Sequence, residues 1–370
     1  MKKRQVISLV VVAAILGALV YFQFRSWRTF DWAKFRQYTG GVSLWHIAAG
    51  VALIYLAYVQ RAIRWAIFLK PTAPTSFRRL LAPQIIGFAA LGLFGRAGEF
   101  ARPFLIARKE KLTFTSQLAV WTVERFFDLG AVLVLMAGFL ALKGGTLAQV
   151  LLQALRAGMQ LAARNAGHKL PLALAGLAVL ALLFFLLKRA SGRAAAALRA
   201  RLYSFKEGFN TIHDFSSFVQ LVVVSLCMWL MIAGAYVQVL HSYPQIPVVV
   251  AGDPAGMQRV ARMNTMKLDD VLVVMGSSML GSVVQLPGGV GGSQLAIIGV
   301  LQSTLFSREP YNITRELAVS CGIMLWLVTF MSVIPAGVLL ARFEKISFLR
   351  LSEESSQEEE EAEAEAVKVL

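Results

Sequence analysis

Charge is scarce in this 370-residue chain: 16% of its residues are Asp, Glu, Lys or Arg, 57% are hydrophobic, and the mean hydropathy is +0.63. So little polarity cannot clothe a folded body in water, which excludes a soluble enzyme. Cysteine is nearly absent. Cys227 and Cys321 both stand inside apolar runs, which excludes a disulfide framework and a C-x-x-C metal or redox motif. The four histidines, His46, His168, His213 and His241, lack H-x-x-x-H spacing, and no G-x-x-x-x-G-K-S/T loop occurs. Metal hydrolysis and ATP-driven pumping are therefore disfavoured, and neither a metal nor another cofactor is expected. Acid is scarcer still, since eight of the 21 Asp and Glu lie between Glu353 and Glu365. Without residues 352–370 the chain holds 36 basic and 13 acidic residues, a net +23. Basic loops between apolar runs point to anionic lipid headgroups and the cytoplasmic face rather than to nucleic acid.

What the chain does have is apolar runs of about 20 residues, the length that crosses a bilayer. Gln5 to Phe24 follows Lys2, Lys3 and Arg4 and shows no A-x-A cleavage pattern, so it reads as an uncleaved first span starting in the cytoplasm. A second span, Val42 to Val59, ends in Arg61, Arg64 and Trp65. Leu80 to Phe94 is broken by glycines and followed by a basic stretch. A re-entrant hairpin keeps that charge in the cytoplasm. Thr113 to Leu142 crosses outward, Thr146 to Lys169 reads as an interfacial helix, and Leu170 to Leu187 crosses back. Six basic residues between Lys188 and Lys206, with no acid, fix the cytoplasmic side. Ser191 to Phe218 serves as an interfacial linker, and Phe218 to Leu240 goes out. Val271 to Leu286, the Pro287 to Gly292 break and Leu295 to Phe306 form a second hairpin, and Leu317 to Ala341 returns.

The expected architecture is an all-α polytopic membrane protein with six full spans, two re-entrant hairpins and both termini cytoplasmic, in a bacterial inner membrane. Residues 1–350 form the transmembrane domain, in halves of about 5–142 and 170–341, and residues 351–370 a disordered acidic tail. Both halves read span, span, hairpin, span from opposite sides, the pattern of an inverted-topology repeat with its site near the midplane.

Two charged runs carry the chemistry. In Gly95-Arg96-Ala97-Gly98-Glu99-Phe100-Ala101-Arg102, a carboxylate lies between two guanidinium groups at a hairpin break. Arg96 or Arg102 is expected to bind a phosphate, with Glu99 holding it by an i, i+3 pair; the alternative is a structural ion pair. In Glu124-Arg125-Phe126-Phe127-Asp128 the two acids share a helix face, and Arg125 is turned about 100° away from Glu124. These charges are expected to reach Arg61, Arg64, Arg96 or Arg102 on other elements, either as a ligand site or as a buried network. Arg61 and Arg64 read equally as a headgroup contact or as a plain positive-inside anchor. The break at Gly288, Gly289 and Gly291 offers backbone N–H groups to an anion, though glycine also serves close packing.

With Arg61-x-x-Arg64-Trp65, Arg96-Ala97-Gly98-Glu99-x-x-Arg102, Glu124-Arg125-x-x-Asp128 and Pro287-Gly288-Gly289-Val290-Gly291 in this order, the chain resembles the flippase-like integral membrane family built on the lysylphosphatidylglycerol synthase transmembrane region. It departs from the family at Phe94, where proline is usual, and at Gln294, where glutamate is usual. The resemblance implies a translocase-like membrane region that moves aminoacylated phosphatidylglycerol or other lipids between leaflets, without the soluble aminoacyl-transferase domain. The expected substrate site comprises Arg61, Arg64, Arg96, Glu99, Arg102, Glu124, Arg125, Asp128, Gly288, Gly289 and Gly291. Two alternatives are a lipid-modifying transferase, for which no candidate nucleophile stands out, and a non-catalytic partner of a lipid or glycan synthase that docks through the acidic tail.

Overall fold

The computed structural model describes residues 30–142, 215–249, 258–282 and 291–348, with Leu351, Glu354 and Gln357. The expected spans at Gln5 to Phe24 and Leu170 to Leu187, the stretches Thr146 to Lys169 and Lys188 to Lys206, the glycines Gly288 and Gly289, and most of the tail lie outside them.

A short helix α1 (Trp32–Gly40) starts where Asp31 accepts from the backbone N–H of Ala33 and Lys34 at 3.1 and 3.0 Å, satisfying two of the donors that a helix start leaves open. The long helix α2 (Leu44–Leu69) follows, then a hairpin of α3 (Phe77–Phe94), a single 3₁₀ turn (Gly95–Gly98) and α4 (Ala101–Glu110), and then the long helix α5 (Phe114–Leu142). The pattern then repeats. Helix α6 (Phe215–His241) is followed by a hairpin of α7 (Leu268–Gly281) and α8 (Gly292–Leu301). A last long helix runs as α9 (Arg315–Trp326), a π-helical turn (Leu327–Met331) and α10 (Val333–Phe343). Four of these helices, Leu44–Leu69, Phe77–Phe94, Phe215–His241 and Arg315–Phe343, are long and apolar enough to cross a bilayer.

Helix α2 outruns its predicted end at Val59 by ten residues, so Arg61 and Arg64 stand within it rather than beyond it. The hydropathy falls there, but carboxylates on another helix come within ion-pair range of both arginines and the backbone ladder continues. The segment after α6 is not helical: β1 (Ile246–Val249) and β2 (Gln258–Ala261) pair antiparallel, Ile246 opposite Ala261, so the expected all-α fold carries one small ribbon. Ile246, Val248 and Ala261 are buried against Tyr243, Met263 and Met266, and the Asn312 amide donates to the Val260 carbonyl at 3.2 Å.

Small residues set the packing. Apolar side chains gain little by leaving lipid for protein, so helices associate where backbones approach closely. Helix α2 lies along α6, where a Cβ on Gly50 would stand 3.5 Å from the Ala235 carbonyl oxygen. Helix α3 lies against α10, where a Cβ on Gly337 would meet the Ala89 Cβ at 2.2 Å. Each hairpin folds back on itself just as tightly. A Cβ on Gly98 would stand 2.2 Å from the Ala90 carbonyl oxygen, and one on Gly281 the same distance from that of Gly292. Gly95 (φ 62°) and Gly291 (φ 142°) take backbone conformations at the two breaks that side chains resist. In both halves the first limb packs on the long helix before it (α3 on α2, α7 on α6) and the second limb on the long helix after it (α4 on α5, α8 on α9).

Beyond α10 the chain turns sharply at Lys345 (φ 56°), and the Ile346 N–H donates to the Ala341 carbonyl at 2.8 Å, a Schellman-type closure. The following segment returns under the first hairpin. Leu351 is buried in a cluster with Ile86, Ala90, Ala101 and Leu105, while Lys109 pairs with Glu344 at 2.6 Å and Arg108 with Glu354 at 3.7 Å.

Candidate functional site

Arg61 and Arg64 lie three residues apart on α2, and Glu124 and Asp128 four apart on α5, so each pair presents to one side of its helix. Trp65, Phe68, Val120 and Val123 belong to one buried cluster that joins these two helices. The hairpin then delivers Arg102 from the first turn of α4. The Arg64 guanidinium is wholly buried and donates to Asp128 at 2.7 Å, to the Ser225 hydroxyl at 3.0 Å and to Glu124. Arg102 grips Glu124 with both terminal nitrogens, at 3.0 Å and 2.5 Å, and reaches the Gln84 side-chain oxygen at 3.3 Å. Its guanidinium also lies 4.8 Å from the centre of the Trp65 ring and 5.0 Å from that of Phe88, a cation–π sandwich. The Trp229 indole N–H donates to Asp128 at 3.2 Å.

Two sequence expectations are corrected here. Arg102 pairs with Glu124 on the next helix and not with Glu99, because the 3₁₀ turn at Gly95–Gly98 and the α3–α4 contact swing the first turn of α4 toward α5. Arg125 pairs locally after all, reaching Glu124 and Asp128 at 3.2 Å each. Its side chain is long enough to bend back across the 100° offset. Arg64, read as either an anchor or a headgroup contact, is wholly buried in ion pairs with Glu124 and Asp128 and does not line the cavity described below. Arg96 lies in the 3₁₀ turn, but its side chain is outside the described residues. Gly291 caps α8, its N–H donating to the Gln294 side-chain oxygen at 2.8 Å.

The charges do not cancel. Among the described side chains, four guanidinium groups (Arg61, Arg64, Arg102 and Arg125) meet two carboxylates (Glu124 and Asp128), and including Glu99, whose charge acts on Arg125, still leaves one positive charge in excess. Arg61 is the least satisfied. One of its terminal nitrogens sits 3.8 Å from Glu124 and 3.9 Å from Asp128, within ion-pair range but too far for a hydrogen bond, and that buried atom has no hydrogen-bond partner among the described residues. A buried donor without an acceptor costs about 1–3 kcal/mol.

Arg61 lines a cavity of about 510 Å³. Arg61, Glu99, Arg125 and Asp128 form part of its wall, as do Tyr58, Phe88, Trp229, Trp326 and Phe330. The second hairpin closes it with Met275, Ser278, Met279, Ser282, Ser293, Gln294 and Ile297. Both hairpins thus meet at one chamber. Gln84, Ser225, Trp229 and Tyr236 were not singled out by sequence reasoning. The available signal was a hydrogen-bonding side chain inside an apolar run, which is costly in lipid unless partnered.

Apolar helices of membrane-crossing length around a chamber with a buried ionic wall define an integral membrane protein of the helical class. The chain belongs to the lysylphosphatidylglycerol synthase TM region family, whose profile matches residues 5–337. No curated protein and no solved structure matches it. The family ties the chain to membrane lipid.

Proposed function

We propose that the protein is a lipid translocase, flippase- or scramblase-like, that passes an anionic phospholipid, an aminoacyl-phospholipid or a polyprenyl-phosphate-linked lipid between leaflets. The observation that carries this reading is the buried Arg61 nitrogen without a hydrogen-bond partner, on a residue that lines a chamber to which both helix–break–helix hairpins contribute and that is backed by an arginine-rich ionic network. An anionic headgroup would supply the acceptor that Arg61 lacks, while the acyl or prenyl tails stay in lipid. The repeated element order, and the equivalence of packing partners between the halves, support an inverted-topology repeat with re-entrant hairpins. Both termini then lie in the cytoplasm of a bacterial cell, where the basic loops meet the membrane's inner face. The exposed apolar side chains of α6, such as Val219, Val223 and Leu230, fit a lipid-facing surface.

Arg102 is committed to Glu124, so Arg61 is the residue to remove. In proteoliposomes with headgroup-labelled phosphatidylglycerol, wild-type protein should exchange lipid between leaflets, and Arg61→Gln should reduce the rate at least tenfold while the protein stays folded. Wild-type protein that exchanges no anionic lipid, polyprenyl phosphates included, would remove the translocase reading.

A further inference from the structure

The first hairpin is open at the end away from its 3₁₀ break, and that end is basic. Arg78 and Arg79 stand in the first turn of α3, Arg108 and Lys109 in the last turn of α4, Lys111 just beyond it, and Lys345 just beyond α10. All but Lys109 are exposed. The Arg79–Glu110 pair at 3.3 Å and the Lys109–Glu344 pair at 2.6 Å draw these three helix ends into one rim. With those two acids counted against the six bases, the rim keeps four positive charges in excess among the described side chains.

The chain brings the opposite charge to the same place. Residues 352–370 hold eight Glu and one Lys, a net −7. Just before them the Leu351 N–H donates to the Ser347 carbonyl at 2.9 Å, a helical step, and Phe348 and Leu351 join the apolar cluster of Ile86, Ala101 and Leu105. Glu354 lies three residues beyond Leu351, on the same side of a helix, and reaches Arg108 at 3.7 Å. The apolar anchor therefore fixes where the acids begin, and Glu354 already meets the rim. In the sequence Glu358, Glu361 and Glu365 follow Glu354 at steps of four, three and four, the spacing that keeps side chains on one helix face.

We infer that the acidic tail, residues 352–370, is the occupant of this rim: an electrostatic latch across the open end of the first hairpin, released by salt or by a competing polyanion. The inference goes beyond lipid passage and does not depend on it. Exposed ion pairs are weak one by one, so the latch rests on their number and on the tether. A short tether gives the tail a local concentration on the order of mM at the rim, which an untethered acid has to match. The latch bears on α4, whose first turn carries Arg102 of the ionic network and whose last turn carries Arg108 and Lys109. A hold on one end of that ten-residue helix steadies the other.

Full-length protein in phosphatidylcholine nanodiscs tests this. A carbodiimide joins a carboxylate to a lysine amine only where the two touch. It should couple acids between Glu358 and Glu365 to Lys109, Lys111 or Lys345 within one chain. Raising the salt from about 0.1 M to about 1 M, which shortens the screening length from about 10 Å to about 3 Å, should cut that coupling at least about fivefold. A labelled peptide of residues 352–370, added in trans, should bind the tail variant E358Q, E359Q, E360Q, E361Q, E363Q, E365Q at least about tenfold more tightly than wild type, whose own tail blocks the rim. Adding Arg78→Gln and Lys111→Gln to that variant should weaken the peptide roughly three- to tenfold. Equal peptide binding by wild type and the tail variant overturns the inference, as does peptide binding that the rim substitutions leave unmoved. Coupling found only between differently labelled copies in a mixture overturns it too, since the tail would then serve a neighbour. A working latch in a protein that exchanges no lipid would defeat the translocase reading alone.

Discussion

Glu124→Gln keeps the shape of the side chain and removes one negative charge from the centre of four guanidinium groups. In the native arrangement its two oxygens accept from Arg64, twice from Arg102 and from Arg125, with Arg61 at 3.8 Å. An amide offers one oxygen and sets its NH₂ against arginine N–H groups, so at least one donor faces another donor. Removing one partner of a buried ion pair costs about 3–5 kcal/mol, and the local charge rises by one. Against a total stability of about 5–15 kcal/mol, this is a large fraction. Thermal unfolding of the purified protein in lipid nanodiscs should show the midpoint falling by about 6–20 °C, taking 2–4 °C per kcal/mol for large domains. A second variant isolates the cause. Arg102→Met with Glu124→Gln removes the pairing partner as well and keeps an apolar body between Trp65 and Phe88, and should regain a substantial part of the loss. A single variant within about 2 °C of wild type would refute the reasoning, since the network would then be held by contacts other than charge.

Gly98→Ala and Gly281→Ala should each abolish accumulation of folded protein, read by monodispersity in detergent, because the new methyl would stand 2.2 Å from a backbone carbonyl oxygen; Gly40→Ala, with open space around it, should be silent. Leu351→Ala should cost about 2–5 kcal/mol, as buried leucines do, and hydrogen exchange should rise selectively around Ile86 and Leu105 if the C-terminal segment braces the first hairpin. Trp229→Phe takes one donor from Asp128 at near-constant packing and should lower stability by roughly 1.5–3 kcal/mol, measured in the same unfolding assay.

Hydropathy and charge spacing made the long helices legible, and glycine made the hairpin breaks legible. Glu124 and Asp128, one turn apart in an apolar run, announced a buried network because carboxylates in such a run need partners. What could not be read was which partner each charge takes. Arg102 has Glu99 near in sequence and Glu124 near in space, and only the close α3–α4 approach at Gly87, where a Cβ would sit 2.5 Å from the Arg102 Cβ, decides between them. The end of α2 was misread because a linear scan charges Arg61 and Arg64 their full desolvation, whereas the fold pairs Arg64 with Glu124 and Asp128 and sets Arg61 within ion-pair range of both. The ribbon at Ile246–Val249 was hidden by Pro247, which removes a donor without preventing the pairing at a sheet edge.

The π turn at Leu327–Met331 has a mechanical consequence. It holds one residue more than an α-helical turn would, and its neighbour Ser332 gives its carbonyl to the Tyr55 hydroxyl at 2.8 Å rather than leaving it for the helix alone. Trp326, Thr329 and Phe330 of the chamber wall sit on or beside this turn. Passing the surplus residue along the helix by one place would carry such side chains about 100° around the axis while both helix ends stay seated. A wall built this way can change its lining by a slip of a single residue, with no need to separate the two halves.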